Sequence, residues 1–574
     1  MKLINYILAV VFIGSVLAGC NNLDETLYSS IGSNNYYNTR DDVLRAAYRP
    51  FEHAFWSISS RHVLNELSAD QIITPVRDGW WDDGGVWRLY HYHQWTDARG
   101  ADDSIIYEWS GCFQGIGQCN FVIEELSQLN PAKFGFTQVD FDNLIAQCRV
   151  LRAWFYIRLL DAFRNVPYVV SFNDQSKNTE TQVEPWKIFK LIEDELKECI
   201  DLVYEKGPSV SAGQWTRGAV VSLLVRLYLN AKVYIGEDRY SDCERYAQDL
   251  VDGKYGAYEI ADRWDAAFDW DNDQCDEMIF GFPAAAGYTS WHYENNTFWN
   301  TVPANSEVYF GDRKCKKGAH NCHFAASPSY DLNGKLYDYE LGMPVEKFRK
   351  YPGDERMKMY RNLGNGRREG MFLYGYIEYK GDDGKMHQMI APEKPYKLYI
   401  RDAVGVFHDL APDSWPRNKE STLSSGDHNS GYHFVKYPFY ADDDPHQLES
   451  DYAEIRLPEV IYSLAECKLR RGAVDDAAEL LNSVRRRNYP SEQLKEVLYA
   501  PEGKVQLNMN EMLDEWGREF FAEGRRRIDL IRFGKFSTGR WWDKIPDADN
   551  HCQIFPLIRQ TLDTNSKLVQ NPGY

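Results

Sequence analysis

Past its first twenty residues the sequence has no apolar run approaching the roughly 20 residues that a membrane-spanning helix needs. It has no CxxC pair, no Cys/His cluster at metal-ligand spacing, no zincin motif and no nucleophile elbow. Asp269, Asp271 and Asp273 alternate like the start of a calcium loop. Gln274, however, stands where that loop needs glycine, and Phe280 where it needs glutamate. His91 and His93 lack a third ligand nearby in sequence. Gly364 to Gly370 is one residue too long for a dinucleotide loop. These absences point away from a cofactor, a resident metal and a recognisable catalytic device.

Basic charge is also in short supply. The 574 residues carry 65 Lys and Arg against 85 Asp and Glu, a formal net charge of -20. Such a balance disfavours nucleic acid, whose phosphates demand clustered cations, and docking on anionic lipid through a basic face. What is abundant is aromatic surface, with 17 Trp and 38 Tyr. The core takes most of these rings, and the supply is large enough to leave some with one wet edge, as in a binding protein.

The N-terminus reads as an address. Lys2 precedes a mostly apolar run from Leu3 to Val16, and Leu17-Ala18-Gly19-Cys20 follows. The order of charge, apolar run and small residues is that of a secretory signal. A Cys after Leu-Ala-Gly resembles the bacterial lipobox, which implies diacylation of Cys20 as the first residue of the mature chain. Residues 1–19 are then the signal peptide, 20–33 a lipid-anchored polar leash, and the rest a water-soluble body held to the membrane by the anchor alone. Ten further cysteines are scattered. Cys112, Cys119 and Cys148 lie in helical patterns as small buried hydrophobes, and the Cys315/Cys322 spacing allows a disulfide in an oxidising compartment.

Helical periodicity dominates both ends. It predicts helices over 41–55, 105–126, 144–163, 186–204, 217–235 (capped by Thr216), 240–251, 457–471, 474–487 and 509–522. Between about 252 and 450 the chain is rich in Gly, Pro, Asn, Asp and Tyr. Short strand-like runs appear there at Met278–Phe282 and Met371–Tyr379, the latter before a Gly381-Asp-Asp-Gly384 turn. Gly472, Ala477, Ala478, Leu481 and Pro490 loosely match tetratricopeptide positions. The fold expected is mostly α: a tetratricopeptide-like helical scaffold over about 34–251 and 451–574. A loop-rich, partly β insertion over about 252–450 packs on it, all within one domain from 34 to 574.

Several segments then carry a family signature in order along the chain. They are Arg149 to Asp161 with Asn165-Val-Pro167, Arg456-Leu-Pro-Glu459 with Leu464-Ala-Glu466, Leu481-Asn-Ser-Val-Arg485, Glu515 to Asp529, and Phe555-Pro-Leu557 with the closing Asn571-Pro-Gly-Tyr574. Together they resemble the RagB/SusD family of nutrient-uptake lipoproteins. Two departures stand out: Trp516-Gly517 replaces the family's usual Glu-Arg, and Phe555 replaces an aliphatic position. The resemblance implies an outer-membrane, cell-surface, lipid-anchored protein that is not an enzyme. It implies capture of an oligosaccharide or polysaccharide and delivery to a SusC-like TonB-dependent transporter. Members that bind peptides are the alternative, and a surface glycoside hydrolase is a second.

A sugar offers apolar C–H faces and a hydroxyl rim, so its site needs rings in loops interleaved with polar groups. Arg77-Asp-Gly-Trp80-Trp81-Asp82-Asp-Gly-Gly-Val-Trp87 fits, as does Trp291-His-Tyr293-Glu-Asn295-Asn296-Thr-Phe-Trp299. The expected glycan-binding residues are Trp81, Trp80, Trp87, Trp291, Tyr293 and Trp299 for stacking, with Asp82, Arg77, Asn295 and Asn296 for hydroxyls. Trp109 and Trp154 lie within helical apolar patterns and are expected in the core, and Trp541-Trp542 in packing.

Overall fold

A computed structural model describes residues 36–79, 85–98, 103–172, 180–208, 210, 213–285, 287–289, 301–311, 323–364, 366–392, 394–416, 420–441, 446 and 449–574. Thirteen helices organise them: α1 Arg40–Trp56, α2 Ile58–Leu67, α3 Val86–His91, α4 Ser104–Ser127, α5 Gln138–Phe163, α6 Pro185–Cys199, α7 Arg217–Leu229, α8 Ala231–Ile235, α9 Tyr240–Val251, α10 Leu457–Arg470, α11 Val474–Arg485, α12 Met509–Glu519 and α13 Arg526–Arg532. Four further α-helices of four to six residues, and several 3-10 turns, lie outside this numbering. None of the described helices is long and apolar enough to cross a membrane.

Local chemistry explains where the long helices start. Thr39 and Thr137 form reciprocal capping boxes with Asp42 and Asp140, satisfying orphan N–H groups at α1 and α5. Thr216 caps α7 by accepting from the Ala219 N–H, and proline occupies the first turn of α6 and α10. The single helix expected over 217–235 is broken at Asn230. Its amide donates back to the Arg226 carbonyl and accepts from Arg532, giving the backbone an alternative to the helix ladder.

α4 and α5 pack antiparallel. The paired residues Glu108–Arg158, Gly115–Phe155 and Asn120–Arg152 rise on one helix as they fall on the other. Gly115 is required at this crossing: a Cβ there would sit 2.1 Å from the Phe155 ring. From α4 the helices stack in sequence, each on its predecessor, through α5, α6, α7, α9, α10 and α11. This solenoid-like order is the architecture that the helical ends predict.

The chain leaves the scaffold after α9 and re-enters at α10. One antiparallel ladder closes that excursion, β1 (Met278–Phe282) against β2 (Tyr452–Arg456), and β2 runs directly into α10. All ten residues are buried, and Phe280 stacks on Trp215 at 3.7 Å. The excursion holds only short strands, including the hairpin Glu378–Lys380/Met386–Gln388 around the anticipated Gly381–Gly384 turn.

Much of the motif set lies in a buried ionic network rather than at a surface. Arg456 donates to Glu277, Glu519 and Glu523, and Arg487 pairs with Glu277 and Glu519. Glu515 accepts from Arg485 and Arg518, and Glu466 accepts from Arg532 and the Trp516 indole. Arg456, Arg485, Arg518, Arg526 and Arg527 are among the largest fully buried side chains. Both family departures are accommodated here. Trp516 supplies the indole N–H to Glu466, and Gly517 leaves room for Arg526 and Gln71, which a Cβ would approach to 2.9 and 2.5 Å. Phe555 lies under the Arg527 guanidinium at 4.7 Å.

Burial pushes the Glu454 carboxyl up, but Arg61, Arg226 and the Trp154 indole more than reverse this and hold it down at about 2. Glu511, against Arg518 and Lys350, is likewise held at about 2. Asp451 has no such cation, and burial raises it to about 7. Glutamates whose folded pKa is depressed stabilise the fold above their unfolded value of about 4.3, and that stability is lost as pH falls toward 2. Asp451 acts oppositely: its contribution is full below about 4 and lost as pH rises through 7. The thermal midpoint is therefore expected to peak near pH 5, soften slightly toward pH 8 and fall steeply below pH 4. A scan of unfolding temperature against pH checks this, and a midpoint still rising below pH 4 would contradict it.

Candidate functional site

The site is built on a narrow ladder of extended segments. Ile72–Ile73 pairs with Ala325–Ala326, the Ala326 N–H donates to the Tyr432 carbonyl at 2.8 Å, and His433–Phe434 pairs with Phe372–Leu373. The Phe434 N–H and a His433 ring nitrogen both reach the Thr301 carbonyl, each at 3.1 Å. Thr301 ends the aromatic segment 290–300, and His323 ends the segment 312–322. The His323 ring meets Trp87 at 5.2 Å, just beyond segment 80–84. One end of each segment therefore meets the described body on one small patch, although 80–84 lies about 200 positions before the other two.

A polar hub fixes the other end of segment 80–84. The Arg77 backbone bridges Gly426, and its guanidinium donates to the carbonyls of Ser430 (2.7 Å) and Asp427 (3.3 Å). Asp78 adopts φ 57°, the left-handed region that Asp tolerates better than most residues. Its carboxylate accepts from Tyr396 at 2.6 Å, His408 at 2.9 Å and Lys394 at 3.0 Å. Partial burial pushes its pKa up, and these three donors outweigh that and lower it. Asp427 behind it accepts the backbone N–H groups of Phe407, His408 and Asn429, and burial raises its pKa. His428, buried near Arg77, is held neutral with its pKa down at about 3.

Asp78, His408 and Asp427 lie close enough to suggest a cation site. Both carboxylates are instead occupied by donors, so the cluster is a hydrogen-bonded junction between loops. His93, Asp547 and Cys552 form a second such group. There His93 spans Asp547 (2.7 Å) and the Ser68 carbonyl (2.8 Å), and His91 reaches the Trp542 carbonyl. Both imidazoles tie the C-terminal segment to the body. Asp269, itself buried, is likewise committed to an ion pair with the partly exposed Arg263.

Of the ten residues expected to touch glycan, Trp80, Trp81, Asp82, Trp291, Tyr293, Asn295, Asn296 and Trp299 lie outside the described residues, as do Cys20, Cys315 and Cys322. The other two differ from the expectation in one respect. Trp87 is 6% exposed, wedged against His323 and Phe324, and Arg77 is fully buried. Both are packed inside the described body, with neither ring face nor guanidinium turned to solvent. Trp109, Trp154, Trp541 and Trp542 are all buried, as their patterns imply.

Sequence reasoning did not find Lys394, Tyr396, His408 or Asp427. They sit in irregular chain, and no periodicity links them to Asp78 more than 300 positions away. Lys394 and His408 are both nearly half exposed. Tyr288, beside the second aromatic segment, is 89% exposed, and Tyr376 is partly exposed edge-on to Tyr399. Wet rings beside polar rims are suited to a ligand with apolar faces and hydroxyl edges.

Asp78→Ala is expected to lower stability by about 1.5–3 kcal/mol, because three donors lose a charged acceptor. The thermal midpoint should fall and cleavage between Gly79 and Gly85 should accelerate under limited proteolysis. If neither changed, the hub would have no anchoring role.

A stacked-helix scaffold carrying a stapled, loop-rich excursion defines the architectural class of the chain. Comparison with known proteins places the chain within it. Residues 277–574 match the SusD family, and residues 57–229 match a SusD-like family described as starch-binding and associating with the outer membrane. The chain belongs to the SusD family. It is 25% identical over 521 residues to the starch-binding protein SusD of Bacteroides thetaiotaomicron, covering 84% of this chain and 81% of that one. Among solved structures it resembles NanU of B. fragilis, at TM-score 0.64 and 18% identity over 95% of this chain and 99% of that one. A laminarin-binding SusD-like protein gives TM-score 0.61 and 18% identity over 94% and 100% of the two chains. At these identities the structural likenesses concern the fold.

Proposed function

We propose that the chain is a glycan-binding lipoprotein of the outer-membrane surface. It is anchored through Cys20 and passes captured oligosaccharides to a SusC-like TonB-dependent transporter. The observation that carries this reading is the common root of segments 80–84, 290–300 and 312–322 beside the Asp78 hub. Segments 80–84 and 290–300 carry Trp80, Trp81, Trp291, Tyr293 and Trp299 in sequence, and Lys394 and His408 are bonded to Asp78 beside the first of them. The starch-binding relative and the outer-membrane description of the matched family support it. Binding without bond cleavage is the chemistry this site supports. Among the described residues, Asp78, His408 and Asp427 are engaged in anchoring, and stacking with a few hydrogen bonds gives affinities of roughly micromolar to millimolar.

Isothermal titration of the mature chain against plant, host and microbial glycans tests this, with a peptide digest titrated in parallel. Heat from one glycan class and none from peptides is the expected result. Heat from peptides alone would overturn the glycan reading, and released sugar from a bound polysaccharide would make the protein a hydrolase. Mass spectrometry of the membrane-extracted protein checks the anchor: an N-terminal peptide beginning at a diacylated Cys20 is expected.

A further inference from the structure

On the helical side, over α4, lies an open groove of about 1130 Å3. It exceeds the roughly 300–1,000 Å3 of a small-molecule pocket. Its floor is the outer face of α4, with Ile106, Trp109, Phe113 and Phe121, and Phe172 and Leu568 form its walls. Phe121 and Phe172 meet edge-on at 5.3 Å, and each is 39% exposed. Contiguous apolar surface of this kind on a folded protein marks a place where something docks.

The occupant is indicated by where the described chain begins. Tyr36 and Tyr37 line this same groove, in edge contact with each other at 5.0 Å, and Tyr37 is buried. The capping box at Thr39 then fixes the direction in which the chain enters α1. Upstream, Leu23, Leu27, Tyr28 and Ile31 are spaced by four, one and three, which gathers them on one face at helical period. The groove floor from Ile106 to Phe121 spans about 22 Å of helix. Residues 21–35 reach at most about 50 Å when extended, so they can run its length. Covalent attachment gives this segment a high effective concentration that no free partner matches.

We propose that residues 23–31 dock in this groove through Leu23, Leu27, Tyr28 and Ile31. The polar tether expected over 20–33 is then a seated strap rather than a free leash. With Cys20 lipidated, only the few residues before Leu23 separate the lipid from the body. That proximity holds one side of the molecule toward the membrane. The docking itself requires neither the lipid nor any glycan.

The test uses the mature chain from residue 20, with Cys20→Ser to keep it soluble and Leu27 replaced by the photo-crosslinking residue benzoylphenylalanine. Intramolecular crosslinks are expected between position 27 and residues 106–121 or 568. Phe121→Glu, at a partly exposed position, is expected to cut their yield about tenfold with the thermal midpoint unchanged. Crosslinks scattered over the surface, crosslinks only to a second copy, or an unchanged yield in the Phe121→Glu chain would each overturn the proposal. Glycan titration of the same proteins reads the other site separately.

Discussion

Arg456→Ala is expected to cost about 3–5 kcal/mol of folding stability, the scale for removing one partner of a buried ionic network. Arg456 lies where β2 becomes α10, its side chain 1% exposed. It donates to Glu277 at 2.8 Å, Glu519 at 3.0 Å and Glu523 at 2.8 Å. Glu277 immediately precedes β1 and Glu519 ends α12. One guanidinium therefore joins the start and finish of the loop-rich excursion to the C-terminal helices. Alanine would strand three carboxylates, leaving Arg487 and Lys436 as their nearest compensation. The loss should appear as a large drop in thermal midpoint and soluble yield. Arg456→Lys should recover only part of it, because an ammonium cannot reproduce the guanidinium fork. A cost under about 1 kcal/mol would mean that the network is better solvated than its burial indicates.

Removing the loop rings together should have the largest effect on binding. With Trp80, Trp81, Trp291 and Tyr293 all changed to alanine, affinity for the responsive glycan is expected to fall at least about 30-fold, taking about 0.5–1.5 kcal/mol per stacked ring. The thermal midpoint should be nearly unchanged if these rings serve the ligand rather than the core. Trp87→Ala should show the reverse. Its ring is buried against Phe324, so stability falls by about 3–5 kcal/mol, and binding weakens only through the loosened root. Titration alongside thermal unfolding separates the two classes. Wild-type affinity in the four-residue variant would remove those rings from the site.

The helical ends were legible in the sequence because burial there follows a strict period. α5 is buried along nearly its whole length, and Leu144, Leu151, Phe155 and Leu159 repeat at the helical spacing that a packed face requires. The motif residues were legible as a pattern, but their role was not. Arg456, Glu466, Glu515 and Arg518 look like surface charges on a helix, and only the tertiary arrangement shows them paired in the interior. The site was half visible. Gly/Asp-rich chain with clustered Trp points to loops, but nothing local distinguishes Trp87, which is buried against Phe324, from its neighbours. Asp78 finds Lys394, Tyr396 and His408 across a sequence separation that no window can span. The break at Asn230 was equally hidden, because it depends on Arg532 arriving from the C-terminal helices.

Hydrogen–deuterium exchange of the wild-type mature chain, with and without saturating glycan, tests the central claim most directly. Slowed exchange is predicted over 77–87, 287–301, 311–323 and 394–408, with the α4 groove unaffected. Protection confined to the helical side, or absent from all four stretches despite saturation, would contradict a glycan site built from the gathered aromatic segments.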